Sequence, residues 1–340
     1  MKAFQILHLS LGILVSLFLP TLQGGVPASP PDAAKIRKMW SPYFSPIPKE
    51  VEKKEATNLA IVDLGRHLFY EKALSSSGNR SCNECHDLAK YGTNGTVALE
   101  LKEAGGLRRD VPSLYNLEGL LLYGWDARTS KLQDKVAHSL LSEAESGVPG
   151  EKDVVAKLSA VPAYKARFQS AFGDDAGITF QNATEALTTF IQGLVTRAPI
   201  DDFLLGDDKA LDADQLRGAL LFEQKNCSAC HTGPAVGGQM IQIAGVIKPW
   251  PNQKDLGHFE VSGNPGHKMG FRVPPLRNVA KTAPYFHDHS ARSLLRAIRE
   301  ISLYEQGLYL TFEEILLIES FLKGFTGEIP TDYISPPDGG

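Results

Sequence analysis

All four cysteines of this 340-residue chain fall in two copies of one five-residue pattern, Cys82-Asn83-Glu84-Cys85-His86 and Cys227-Ser228-Ala229-Cys230-His231. At the chain's own Cys and His frequencies, one chance occurrence has a probability on the order of 10⁻³ and two on the order of 10⁻⁶. C-x-x-C-H is the spacing of covalent c-type haem attachment. Two thiols three positions apart on a tight turn reach both vinyl groups of one porphyrin, and the adjacent imidazole then falls beneath the iron. Two motifs therefore predict two covalently bound haem c groups, with His86 and His231 as proximal iron ligands. Two disulfides are disfavoured by the spacing. A zinc site or a thiol redox pair is the other use of these residue types, although zinc would need ligands from both motifs to converge.

Residues 1–25 carry one early cation, Lys2, then an apolar run from Ile6 to Leu19 closed by Pro20, and small residues at Gly24 and Gly25. This is the layout of a secretory signal peptide. No later segment approaches the ~18 apolar residues of a membrane span, so an exported, periplasmic chain without a span in its mature part is expected. With 43% hydrophobic and 22% charged residues, the remainder has the composition of a folded globular protein. A formal charge of −4 offers no basic excess for neutralising phosphates, which argues against a nucleic-acid partner.

Most periodic stretches place apolar residues at three- and four-residue steps, predicting helices over 51–70, 131–143, 153–172 with Pro162 interrupting, 179–195, 212–224, 293–303 and 311–325. Asp212 and Thr311 read as N-caps, each with Gln or Glu three positions on. Each half runs from a helix ending in Leu-Phe (Leu68-Phe69, Leu221-Phe222) through a polar stretch to C-x-x-C-H and then a glycine-rich loop. The expected fold is all-α: two cytochrome c-like domains, 32–196 and 197–335, each wrapped around one haem, with the boundary at Arg197-Ala198-Pro199-Ile200. The Gly/Pro-rich stretch 232–275 is too long for an ordinary connection and is expected to be functional or haem-covering.

Further runs strengthen the pattern: Leu64-Gly65-Arg66-His67-Leu68-Phe69-Tyr70, Leu74-Ser75-Ser76-Ser77-Gly78, Tyr123-Gly124-Trp125-Asp126-Ala127-Arg128 and the long run Val273 to Asp288 containing Thr282-Ala283-Pro284-Tyr285-Phe286-His287. From about Lys49 to Pro330 the chain resembles the bacterial di-haem cytochrome c peroxidase family, which includes the MauG-type enzymes. The resemblance implies that the N-terminal haem cleaves hydrogen peroxide while the C-terminal haem takes electrons from a small carrier, a cytochrome c or a cupredoxin. Trp125 would lie between the haems and help charge cross. Glu145 falls at the family's catalytic glutamate, with Glu143 as the rival if the register slips. A carboxylate over the iron's open face takes a proton from one peroxide oxygen and returns it to the leaving one. The resemblance also implies a calcium ion at Asp110, Thr282 and Pro284, Asp110 replacing the usual Asn, and haem propionates paired with Arg128 and Arg277. Family members often form homodimers, but no stretch reads as an interface.

Two positions depart from the family. The histidine that many members park on the peroxidatic iron falls on Lys102, a surface residue unless it loses its proton and ligates. The methionine that binds the second iron falls on Ile301, which cannot. Tyr304, one turn on, is an alternative distal ligand or else a half-buried aromatic; Met240, Met269 and His289 are further candidates, whereas His67, His138, His258 and His267 suggest no role. A missing Met ligand should lower the second haem's potential. The leading expectation is a peroxidase. A MauG-like oxidase of a protein side chain, or a non-catalytic di-haem electron carrier, are the alternatives.

Overall fold

The computed structural model describes residues 25–26, 28–47, 59–97, 100 and 108–337. The expected leader, all but its last residue, and Lys102 lie outside them. Helices dominate, and the strands are two three-residue pieces, Ile241–Ile243 and Gly270–Arg272, paired antiparallel. No helix among the described residues is long and apolar enough to cross a membrane.

The first half is built from α1 (Ala33–Trp40), α2 (Leu59–Tyr70), α3 (Cys82–Cys85), α4 (Leu132–Leu141), α5 (Glu151–Ser159), α6 (Pro162–Phe172) and α7 (Phe180–Gln192). The second holds α8 (Pro199–Leu204), α9 (Ala213–Gln224), α10 (Phe259–Ser262), α11 (Leu294–Gln306), α12 (Phe312–Lys323) and α13 (Thr331–Ile334). Pro162 splits its stretch into two helices because a proline lacks the N–H an interior turn needs but fits the first helical position. Both expected caps form. Asp212 Oδ1 accepts from the Gln215 N–H at 2.8 Å while Gln215 Oε1 accepts from the Asp212 N–H at 2.9 Å. Thr311 and Glu314 exchange the same pair of bonds at 3.2 and 2.8 Å.

The internal repeat is physical. α2 crosses α7 at Gly65, where an added Cβ would lie 2.0 Å from the Ala186 carbonyl oxygen; α9 crosses α12 at Gly218, where it would lie 2.0 Å from that of Leu317. Each glycine sits three residues before the Leu-Phe pair, and each crossing is flanked by a phenylalanine, Phe190 or Phe321. Backbone contact at a glycine brings two amphipathic helices close enough to share one core. The first core gathers Leu64, Leu68, Phe69, Leu140, Phe168 and Phe190. Phe203, Leu221, Phe222, Ile318, Phe321 and Phe325 form the second.

The chain ends do not respect the 32–196 and 197–335 division. Helix α1, absent from the sequence expectation, sends Ile36 and Trp40 into the second core together with Phe44. The Trp40 ring meets Phe321 edge-on at 4.4 Å. In return Tyr333 of α13 stacks on Phe190 at 5.2 Å, and Ile334 is buried in the first core. The two ends are thus exchanged between the halves. The physical reason is that α9 and α12 leave an apolar flank that the eight-residue α1 covers with Ile36 and Trp40, Ala33 and Met39 packing beside them.

The 232–275 stretch is not structureless. It contains both short strands and α10, and its Trp250, Met269 and Phe271 make a small core of their own against Trp125, Phe286 and Tyr304.

Candidate functional site

Each C-x-x-C-H turn opens onto its own cavity. The first, about 340 Å³, is lined by Cys82, Cys85, His86, Trp125, Arg128, Lys135, His138 and Glu145. Cys227, Cys230, His231, Ile301, Glu305 and Gln306 line the second, about 410 Å³. No two of the four cysteines are joined in a disulfide. Burial pushes the thiols of Cys82 and Cys227 up to about 12. The motifs lie in different cavities, and no cluster of three or more His, Cys, Asp or Glu suited to a metal exists among the described residues. The single-zinc alternative is thereby excluded by geometry.

The histidines are prepared as neutral ligands. The Nδ1 of His86 lies 3.1 Å from the Gly92 carbonyl and that of His231 3.3 Å from the Val236 carbonyl, which leaves Nε2 of each ring for an iron. Burial lowers both imidazoles, His231 to about 4, so neither carries a proton that would compete with a metal.

Six residues border both cavities: Asp110, Val111, Pro112, Ser113, Trp125 and Arg272. Trp125 donates its indole N–H to the Asp110 carbonyl at 2.9 Å and accepts at its own carbonyl from the Arg272 N–H at 2.8 Å. Its ring faces His287 at 6.4 Å, and His287 faces Trp250 at 6.1 Å, a row of aromatic rings leading from the shared wall into the second half.

Arg272 was not suggested by the sequence. It is 3% exposed, no carboxylate among the described residues meets it, and its Nε has no hydrogen-bond partner. Burial lowers it to about 10. An uncompensated buried guanidinium is costly and calls for an anion, and the carboxylates that haem carries fit that need. The two arginines expected in this role are already engaged. Arg277 holds Asp201 through two bonds of 2.9 and 2.6 Å and donates to the Pro234 carbonyl, at a site where Asp201 is fully buried. Arg128 binds both oxygens of Asp126, which also receives Arg109. Arg109 continues to Asp255 at 2.6 and 2.8 Å, pinning the long loop of the second half to the first.

Glu145 occupies the first cavity. It follows α4 on a tight turn, its N–H bonded to the Ser142 carbonyl. Burial raises its carboxyl, but Lys135 and Ser139 pull it below the usual glutamate range. Glu143, the rival, does not line the cavity.

The second cavity has Ile301 in its wall. Tyr304, Met240, Met269 and His289 are not in that wall: Tyr304 packs its ring on Trp250 at 5.1 Å, and His289 Nε2 faces the Asp110 carboxylate at 3.6 Å. The tyrosine points to the loop core because its position on α11 is turned away from the cavity row formed by Leu294, Ala297, Ile298, Ile301, Ser302 and Glu305. Asp110, Thr282 and Pro284 all border this cavity.

Residues 59–209 match the family model described as di-haem cytochrome c peroxidase. The chain is 36% identical to the cytochrome c551 peroxidase of Nitrosomonas europaea, over 80% of this chain and 82% of that one. It is 31% identical to the cytochrome c551 peroxidase of Pseudomonas aeruginosa over 97% and 94%. The fold is similar to the crystal structure of a MauG-like protein associated with microbial copper homeostasis, with a TM-score of 0.69 over 87% of this chain and 97% of that one at 24% identity. With these relatives, and with two C-x-x-C-H turns, two cavities and one shared wall, the chain belongs to the di-haem cytochrome c peroxidase family.

Proposed function

We propose that the protein is a periplasmic di-haem peroxidase that reduces hydrogen peroxide to water with electrons from a small redox protein. The observation carrying this reading is Glu145, a carboxylate kept ionised in the same cavity as His86. When bound, haem supplies the iron at which peroxide is held and its O–O bond is reduced. The chain's own parts are distinct. His86 and His231 offer their Nε2 atoms, Glu145 moves a proton between peroxide oxygens, Arg272 balances a propionate, and Trp125 spans the wall between the cavities. Asp110, Thr282 and Pro284, at the edge of the second cavity, are the proposed calcium position.

Ile301 in the second cavity wall supports a second reading, a MauG-like oxidase of a protein side chain. Without a sulfur ligand the second haem is a weaker electron acceptor from a cytochrome, and the aromatic row through His287 and Trp250 offers another route for charge.

Stopped-flow absorbance of the diferric protein mixed with stoichiometric peroxide tests both. A rapid Soret change is expected, and Glu145→Gln should slow it by about 10²–10⁴-fold with both haems retained. Slow bleaching, even after one-electron reduction, would leave an electron carrier. Turnover sustained by a reduced cytochrome or cupredoxin favours the peroxidase over the oxidase.

A further inference from the structure

We propose that Lys135 is a positioning residue that holds the Glu145 carboxylate as an anion aimed into the first cavity, ready to accept a proton from peroxide. This deepens the peroxidase reading and rests on it. The Lys135 Nζ donates to both carboxylate oxygens, at 2.9 and 3.2 Å, and to the Ser139 hydroxyl at 2.6 Å. Ser139 in turn donates to the Lys135 carbonyl at 3.0 Å. One turn of α4 therefore carries both the ammonium and the hydroxyl that steadies it. The lysine side chain is 22% exposed and lies in the wall of the cavity that holds His86.

The need for such a group follows from the surroundings. Glu145 borders the cavity with 39% of its side chain exposed, and the burial it does have favours its neutral, non-basic form. The other ionisable groups facing it are His138, whose Nδ1 is 4.0 Å from Oε1, then Arg128, His86 and the thiols of Cys82 and Cys85, which become thioethers on haem attachment. Burial, Arg128 and Lys135 all lower His138, and at 4.0 Å from Oε1 its ring lies beyond hydrogen-bond reach of the carboxylate. Arg128 is committed to Asp126. That leaves Lys135 as the cation in direct contact with the carboxylate. Net reduction of one peroxide takes two electrons from the donor protein and two protons from solvent and yields two waters. The share of Glu145 is to carry one proton from one peroxide oxygen to the other as the O–O bond breaks, which only the anion can begin.

The test is the pH dependence of the bimolecular reaction of the diferric holoprotein with peroxide, after haem content is verified. In the wild type the acid limb is expected below the ordinary glutamate value of about 4.3. Lys135→Met should move the limb upward by about one pH unit or more, a rate about tenfold lower at any pH on the limb, with the high-pH plateau kept within a few-fold. Lys135→Arg should return the limb to near its original place. Where the Met variant does not retain both haems, Lys135→Gln carries the same expectation. A wild type inert to peroxide overturns the peroxidase reading and this proposal together. A reactive wild type whose acid limb lies above the ordinary glutamate value, or haem-replete Met or Gln variants with an unmoved limb, overturns the role of Lys135 alone.

Discussion

Asp126 binds two arginines at the junction of the halves. Its side chain is buried and receives Arg109 and both nitrogens of the Arg128 fork. Burial raises its carboxyl, but the two guanidiniums outweigh this and leave it at about 2. A carboxyl depressed on folding adds stability above its unfolded value, near 4, and loses it as pH falls toward 2. Wild type should thus melt progressively lower between about pH 4 and pH 2, a loss on the order of 2 kcal/mol from this group. Thermal melts of Asp126→Asn over that range should show a flatter slope, and an equal slope would assign the acid loss elsewhere. At this scale the sequence is uneven. Cys82, Cys85, His86, Cys227, Cys230 and His231 are readable because their chemistry demands fixed spacing. Arg272 and Lys135 are not, because their meaning comes from what surrounds them: Arg272 gains its role only when the Gly270–Arg272 strand is laid against the turn that carries Trp125, and Lys135 only when the turn after α4 folds Glu145 back onto it.

Helix pairs were legible in their periodicity and caps, less so in how they cross. Asp212 and Thr311 announce α9 and α12 because a side-chain cap is a local event. Gly65 and Gly218 carry no such local signal; in a helix interior each is a modest cost until a partner helix is laid against it. Gly65→Ala and Gly218→Ala should each destabilise by about 1–3 kcal/mol, since the new methyl meets a carbonyl oxygen rather than a movable side chain. Chemical denaturation of the two single variants measures this, and stabilities within a few tenths of a kcal/mol of wild type would mean that the helices part easily. Helix α1 escaped the sequence reading because only Ile36 and Trp40 of its eight residues are buried, too few to show a period, although Asp32 caps it with a 3.0 Å bond to the Lys35 N–H.

For the molecule as a whole, the repeated plan suggests two separable units, and the exchange of chain ends denies it. Tyr333 donates its hydroxyl to the Phe190 carbonyl at 2.8 Å while the Tyr70 hydroxyl reaches the Ile334 carbonyl at 2.5 Å. A chain stopped after Pro330 should therefore lose stability in the half that contains His86, not in the half to which the tail is joined in sequence. Haem-specific melting, read from the separate Soret signals, checks this; selective loss at the His231 haem would contradict it. The same exchange bears on biogenesis. The segment that completes the second core is the earliest described part of the chain, and the segment that seals the first core is the latest. The second core can therefore be completed once Phe325 has emerged, because α1 precedes it, whereas the first waits for Tyr333 and Ile334; the half that contains His86 is the later of the two to be sealed.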